Sequence, residues 1–225
     1  MAGNGQDELV EAIVGLRPVA AGKVTLEGRD MTGESPRQIH DLNIAYVPAD
    51  RHRFGLILSF SCQDNLVLNR YRSAPFAHGF VRDDDAIAAE ARDNIAEYDI
   101  RTPSASVPAG TLSGGNQQKL VVAREFDRDL KLLVLDQPTR GLDVGSIEFI
   151  HSQVIAKRNA GTAVLLVSAE LDEVLEISDR IVVMYRGELV AERDGRTADK
   201  NEVGLLMATG GRSAAEAKPP TVADE

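Results

Sequence analysis

The chain has 225 residues, 43% of them hydrophobic, enough to build one large domain or two small ones. Its formal net charge of −10 argues against a nucleic-acid backbone as partner, because that contact is driven by clustered Lys and Arg. One cysteine, Cys62, excludes an internal disulfide and fits a reducing compartment.

Residues 1–8 lack the basic-then-apolar pattern of a signal peptide. The longest apolar runs, such as Ala163 to Val167, are strand-sized and far short of the ~20 residues of a bilayer span. The expectation is a soluble chain that reaches a membrane only through a partner.

In chain order, Gly3-Asn4-Gly5 is a glycine turn, and Leu9, Val10, Ile13 and Val14 have the spacing of a helix with one buried face. Lys23 to Glu27 alternates like a short strand before Gly28. Ser35-Pro36 reads as an N-cap with proline in the first turn, opening a helix through Leu42; Ile44 to Val47 is a strand closed by Pro48. Residues 62–100 are helical in pattern, with Asp83, Asp84 and Asp85 at the start of the stretch Ala86 to Tyr98, where a helix dipole favours acids. Ser104 to Gly110 is a loop.

From there the pattern alternates: helix 115–126, strand Leu132–Leu135, helix 146–159, strand Ala163–Val167, helix 170–177 and strand Ile181–Met184. Apolar strands separated by helices indicate an α/β fold with a parallel sheet buried on both faces.

The most specific string is Leu112-Ser113-Gly114-Gly115-Asn116-Gln117-Gln118-Lys119 at the mouth of the 115–126 helix. The first N–H groups of a helix lack intrahelical acceptors, two glycines let a phosphate approach the backbone, and the Ser113 hydroxyl adds a donor. This string resembles the signature motif of the ABC ATPases, LSGGQ, with Asn116 at the place of its glutamine.

Three further strings come after it in family order or before it in the chain. Leu132 to Asp136 is similar to Walker B, whose carboxylate holds Mg²⁺ through water. Arg140-Gly141-Leu142-Asp143 resembles the D-loop at the seam between two nucleotide-binding domains. Ile44 to Pro48 is similar to the strand entering the Q-loop, which senses a transmembrane partner. GNQQK, PTRGLDVG and SDRIVVMYRGE most resemble the second half of tandem ATPases that energise simple-sugar and nucleoside importers.

The resemblance implies a P-loop NTPase-like α/β fold with a helical signature subdomain. It implies a partial nucleotide-binding domain over residues 1–210, a helical subdomain at about 56–120 and a disordered tail at 211–225. The strands that ordinarily precede the phosphate loop are expected to be missing; the reading frame is expected to continue upstream, the alternative being one piece of a split or decaying gene. ATP and Mg²⁺ are the implied cofactors. The implied partners are a second nucleotide-binding domain, transmembrane permease subunits and an extracytoplasmic solute-binding protein, at the cytoplasmic face of the membrane. No nucleic acid is expected.

The catalytic positions depart from the family pattern. Gly3, Asn4, Gly5, Gln6 and Asp7 stand at the end of the phosphate loop, where G-x-x-x-x-G-K-[ST] needs a lysine and a hydroxyl. Gln6 brings no ammonium, and Asp7 repels a triphosphate. Gln137 stands at the general-base position and is a poor base. Ala169 stands at the switch-histidine position, and Ala49 where the Q-loop has Gln or Glu. No catalytic residue is assigned.

These departures beside an intact signature suggest a half-site that has lost hydrolysis. Ser113, Gly114, Gly115, Asn116 and Gln117 would then contact ATP held by another domain, with Asp136 and Asp143 completing the family set. A Gly115→Asp substitution would, on this reading, set a carboxylate against that phosphate.

Arg51-His52-Arg53 is basic enough to contact phosphate but reads better as a solvated loop, and His40, His52, His78 and His151 lack metal-ligand spacing. The competing readings are a non-catalytic regulatory or structural remnant and a soluble ABC ATPase acting outside transport. Only about 60 residues separate Ala49 from Leu112, too few for the long coiled coil of the DNA-repair members.

Overall fold

The computed structural model describes residues 3–211, so all but Gly211 of the expected tail lies outside the described residues. The chain divides into two compact units, residues 34–165 and residues 1–33 with 166–225.

The 34–165 unit opens with helix α2 (Pro36–Asp41), whose Ser35 and Gln38 form a reciprocal capping box. Strand β3 (Ile44–Val47) pairs in parallel with β6 (Leu132–Asp136), Ile44 opposite Leu132 and Val47 opposite Leu135. With β7 (Ala163–Val167) the strand order is β3-β6-β7. Leu133, Val134 and Leu135 are fully buried, as the unbroken apolar run predicts for a strand covered on both faces.

Helix α5 (Gly114–Phe126) is buried on nearly every side, from Gln117 through Phe126 without a break. That is why its sequence shows no clean apolar stripe. It packs against β3, α3 (Cys62–Leu66), α4 (Asp84–Glu97) and α6 (Val144–Asn159).

The helical expectation for 62–100 is corrected. Only α3 and α4 are helical, and between them lies an antiparallel hairpin of β4 (Ala77–His78) and β5 (Val81–Arg82). Gly79, with φ 67°, turns that hairpin, and Val67, Phe76 and Ile87 bury one another beneath it. Asp83 caps α4 by accepting from the Ala86 amide at 2.9 Å.

Beyond β3, two features shape the approach to α5 and α3. The segment Arg51–Gly55 is one π-helical turn capped by Asp50 in place of the expected loop, and His52 and Arg53 are exposed on it as the expected solvation requires. Gly55 presses on α5: an added Cβ would meet Val121 at 3.2 Å, and its carbonyl accepts from the buried Arg124 guanidinium at 2.7 Å. Asn65 then folds the next segment, accepting from the Ile57 amide at 2.9 Å and donating to the carbonyls of Ile57, Phe60 and Ser61.

The other unit holds α1 (Gln6–Ile13), the hairpin β1 (Thr25–Leu26) and β2 (Arg29–Asp30), helix α7 (Leu171–Ile177), strands β8 (Arg180–Tyr185) and β9 (Glu188–Asp194), and helix α8 (Lys200–Thr209). Ile181 to Met184, expected as a further parallel strand, instead pairs antiparallel with β9. The connecting pair Arg186-Gly187 has positive φ at both residues, 51° and 84°, as a tight hairpin turn requires. Ile181, Val183 and Val203 form this unit's core.

Candidate functional site

Ser113 is the N-cap of α5, exposed and extended, with its hydroxyl oxygen accepting from the Asn116 amide and from Asn116 Nδ2 at 2.9 Å. Asn116 Oδ1 also accepts from the Arg101 amide at 2.8 Å, so the start of the helix is held on two sides. The hydroxyl of Ser113 accepts both bonds from Asn116, so its proton is left for an acceptor from outside.

Gly114 and Gly115 differ in what they allow. At Gly114 an added Cβ would lie 2.7 Å from Arg51 Nη2, the far end of a flexible side chain. Gly115 is buried, and a Cβ there would overlap Ser146 Oγ and stand 3.0 Å from Asp143 Oδ2. The second glycine is therefore demanded by the approach of the α6 N-terminus. The expectation that Gly115→Asp acts chiefly on a phosphate is corrected by this packing.

Gln117 and Gln118 both face inward. Gln117 Nε2 donates to the carbonyls of Ala109 and Leu112, and its Oε1 receives His52 Nε2 at 2.8 Å and Arg51 Nε at 3.5 Å. The Gln117 amide thus binds the π-turn to the signature helix, which leaves it turned away from any ligand. Lys119, also buried, donates to Asp99 and lies over the Phe149 ring.

Asp136 is buried at the end of β6. Gln137 comes next, in the left-handed region with φ 49°, an uncommon conformation for a residue with a side chain. Asp143 caps α6, accepting from the Ser146 amide at 3.0 Å and its hydroxyl at 2.8 Å. These bonds, the hydroxyl's first, hold the Asp143 carboxyl below its usual range.

In the other unit, Gly3 and Gly5 have φ 93° and 99°, and Gly5 is the N-cap of α1. Gln6 Oε1 accepts from the Asn4 amide at 2.9 Å. Asn4 in turn accepts from the amides of Arg186 at 3.0 Å and Gly187 at 2.7 Å. Asp7 is exposed in the first turn of α1. Ala169 lies between Ser168 and Glu170, where the Glu170 amide donates to Ser168 Oγ at 3.0 Å.

At the phosphate-loop positions the Gln6 side-chain oxygen takes a loop N–H from within, and Asp7 adds negative charge. At the start of α5 stands an exposed hydroxyl, a group able to donate to a phosphate oxygen. Asp136, a buried carboxylate at a strand end, is the residue that would hold Mg²⁺ through water. Among the described residues no group of three or more His, Cys, Asp or Glu is placed to hold a metal ion. Sequence reasoning missed Gln118, Arg124 and Ser146, whose partners lie far along the chain. The spacing of the motif gives no sign of those contacts.

A family model described as ABC transporter matches residues 2–140. The guanosine import ATP-binding protein NupO of Bacillus subtilis is 46% identical over 206 residues, covering 92% of this chain and 40% of that protein. The glucose import ATP-binding protein TsgD13 of Haloferax volcanii is 44% identical, covering 96% and 40% respectively. The chain thus spans about two fifths of the length of these relatives. Among solved structures, a dimeric post-hydrolysis state of the ATP-binding cassette MJ0796 bound to ADP and Pi aligns with TM-score 0.73 at 20% identity, over 88% of this chain and 84% of that one. A nucleotide-free cassette from an ABC transporter aligns equally well, at 0.73 and 21% identity, over 92% of this chain and 81% of that chain. At these identities the two structures bear on the fold alone.

Proposed function

The chain belongs to the ABC transporter family of ATPases, and from that premise we propose that it is a nucleotide-binding half of an importer for sugar- or nucleoside-type solutes. It acts through its signature on ATP held by a second nucleotide-binding domain, while its own hydrolytic site is degenerate. The observation that carries this reading is the contrast between two helix starts. At α5 the capping Ser113 is exposed at the helix start, with Gly114 and Gly115 directly after it. At α1 the Gln6 amide closes back on Asn4.

Bound to the partner domain, ATP supplies the phosphoryl group whose transfer to water drives transport. This chain's part is electrostatic: Ser113 donates to a terminal phosphate oxygen, and the helix N-terminus stabilises the charge that grows there. Gln137 has no basic oxygen lone pair able to take a proton at neutral pH, so the chain contributes no base of its own.

Relatives named for guanosine, glucose and ribose import support the solute classes. A permease partner is supported by the apolar surface after β3, where Phe54 is 63% exposed and Phe60 46%. An extracytoplasmic solute-binding protein completes the proposed system, with the chain at the cytoplasmic face of the membrane and no role for nucleic acid.

The test is ATP turnover by the transporter complex that contains this chain, with and without Ser113→Ala. Loss of one preorganised donor lowers turnover by about 10²-fold, while ATP binding by the partner domain persists. Unchanged turnover would overturn the reading in trans.

A further inference from the structure

Arg51 is 63 residues from Gly114 in sequence, yet its Nη2 lies against that glycine, the first residue of α5. Contacts at both ends of the π-turn and within it put it there. The Gly55 end of the π-turn is fixed on α5 by Arg124 and by close approach to Val121. His52 Nε2 meets Gln117 Oε1, and Arg51 Nε donates to the same oxygen at 3.5 Å. The backbone path is set by Asp50, whose carboxylate accepts from the amides of His52 and Arg53, both at 3.0 Å.

The placement is electrostatically wrong for a bare helix. The N-terminus of α5 carries partial positive charge, and a cation beside it is disfavoured. Several basic side chains in this acidic chain have carboxylate partners: Arg70 has Glu90 and Asp127, Lys119 has Asp99, and Arg193 has Glu202. Arg51 pairs with no carboxylate among the described residues. The nearest acid around the glycines, Asp143, is occupied by Ser146 and lies against Gly115. A guanidinium held beside a helix start without a counter-ion is an arrangement that an anion from outside would relieve.

On the footing of the signature reading proposed above, we infer that Arg51 is a further phosphate-binding residue of this face, meeting the terminal phosphate of a nucleotide presented to Ser113 and Gly114. Its planar fork suits two phosphate oxygens at once, which a serine hydroxyl and single amides do not. Gln117 is its positioning residue, because the amide that holds Arg51 Nε also holds His52. The π-turn thereby carries a charge to the signature helix that the motif itself lacks.

The experiment titrates the full chain with inorganic tripolyphosphate and tracks the amide resonances of Gly114 and Gly115. The variants are Arg51→Met, Arg51→Lys, Ser113→Ala, and Arg92→Met as an exposed-charge control on α4. Arg51→Met weakens binding about tenfold, as expected for loss of a charged hydrogen bond; Arg51→Lys retains most of the affinity, and Arg92→Met matches the parent.

If Arg51→Met binds like the parent while Ser113→Ala weakens binding, the role of Arg51 is overturned and the signature reading stands. If tripolyphosphate leaves the Gly114 and Gly115 amides unmoved, both fall. An Arg51→Lys chain as weak as Arg51→Met, with its thermal midpoint lowered to match, would assign Arg51 a packing role only and overturn the inference.

Discussion

The side-chain amide of Gln118 donates to the main-chain carbonyl of Pro138 at 2.8 Å, and both residues are buried. Gln118 is on the signature helix, and Pro138 comes directly after Gln137, whose φ of 49° turns the chain sharply out of β6. One hydrogen bond therefore fixes the turn at the general-base position from the helix that carries the signature. Gln118→Leu keeps the volume and leaves that carbonyl buried without its donor. The expected loss is about 1–3 kcal/mol of stability, read from the midpoint of urea unfolding.

Gly115 and Ser146 provide a sharper test of packing. A Cβ at Gly115 overlaps Ser146 Oγ and comes within 3.2 Å of Ser146 Cβ. Gly115→Ala should destabilise by about 1–3 kcal/mol, the usual range for overpacking. Adding Ser146→Gly removes the obstructing atoms, so the double variant should be more stable than the sum of the singles predicts. Additive losses would show that the two positions do not meet. Activity lost in Gly115→Asp would report this clash before it reported any phosphate contact.

Elements governed by local signals were legible in the sequence. The Ser35 N-cap, the Gly5 and Ser113 helix starts and the unbroken apolar runs of β3, β6 and β7 all lie where their residue patterns put them. The 62–100 segment misled because helical patterns at both of its ends, in α3 and α4, flank the short hairpin. Yet Pro75 and Gly79 were the turn signals within it.

Strand β8 misled differently: its apolar run reads as a buried parallel strand, and its antiparallel partner is set by the Arg186-Gly187 turn. At the site, the motif spacing located the helix start but not its neighbours. Arg51 reaches Gln117 across 66 residues, and Gly115 meets Ser146 across an intervening strand. No periodicity encodes such contacts.

Glu90 and Asp127 share Arg70, whose Nη2 lies 3.0 Å from one carboxylate and 2.9 Å from the other. The Glu90 carboxyl is pushed up to about 7, first by its hydrogen bond with Asp127, then by burial and by the Asp127 charge. Burial pulls Asp127 upward too, but hydrogen bonds from Glu90, Asn94 and Arg70 hold it below its usual range. The shared proton therefore sits on Glu90.

A raised folded-state pKa contributes stability that is complete below the unfolded value of 4.5 and is lost as pH rises through about 7. The lowered Asp127 contributes in the opposite sense, and only at more acid pH. Glu90→Gln imitates the protonated form, so its unfolding midpoint should vary less than the parent's between about pH 5 and pH 8. The variant should be the more stable of the two at the alkaline end. A parent and variant with parallel pH profiles would exclude the shared proton.

Gln6 supplies the last prediction. Its Oε1 takes the Asn4 amide at 2.9 Å, and Asn4 is itself held by Arg186 and Gly187. The loop thus satisfies itself, without a cation to attract phosphate. The full chain should hydrolyse ATP far below the ~1–10³ s⁻¹ typical of enzymes. Gln137→Glu alone should not raise that rate, because a base is useless where nucleotide is poorly held. Gln6→Lys with Asp7→Thr frees the Asn4 amide, adds an ammonium and replaces a repelling carboxylate with a hydroxyl. That pair should tighten MgATP binding by about tenfold or more, equivalent to about 1.4 kcal/mol, measured with a fluorescent ATP analogue. Turnover should stay negligible in the pair, since Gln137 still cannot accept the proton of an attacking water. Rapid phosphate release by the parent chain, or by Gln137→Glu alone, would show that residues 3–7 hold nucleotide well enough for catalysis and that the site is not degenerate.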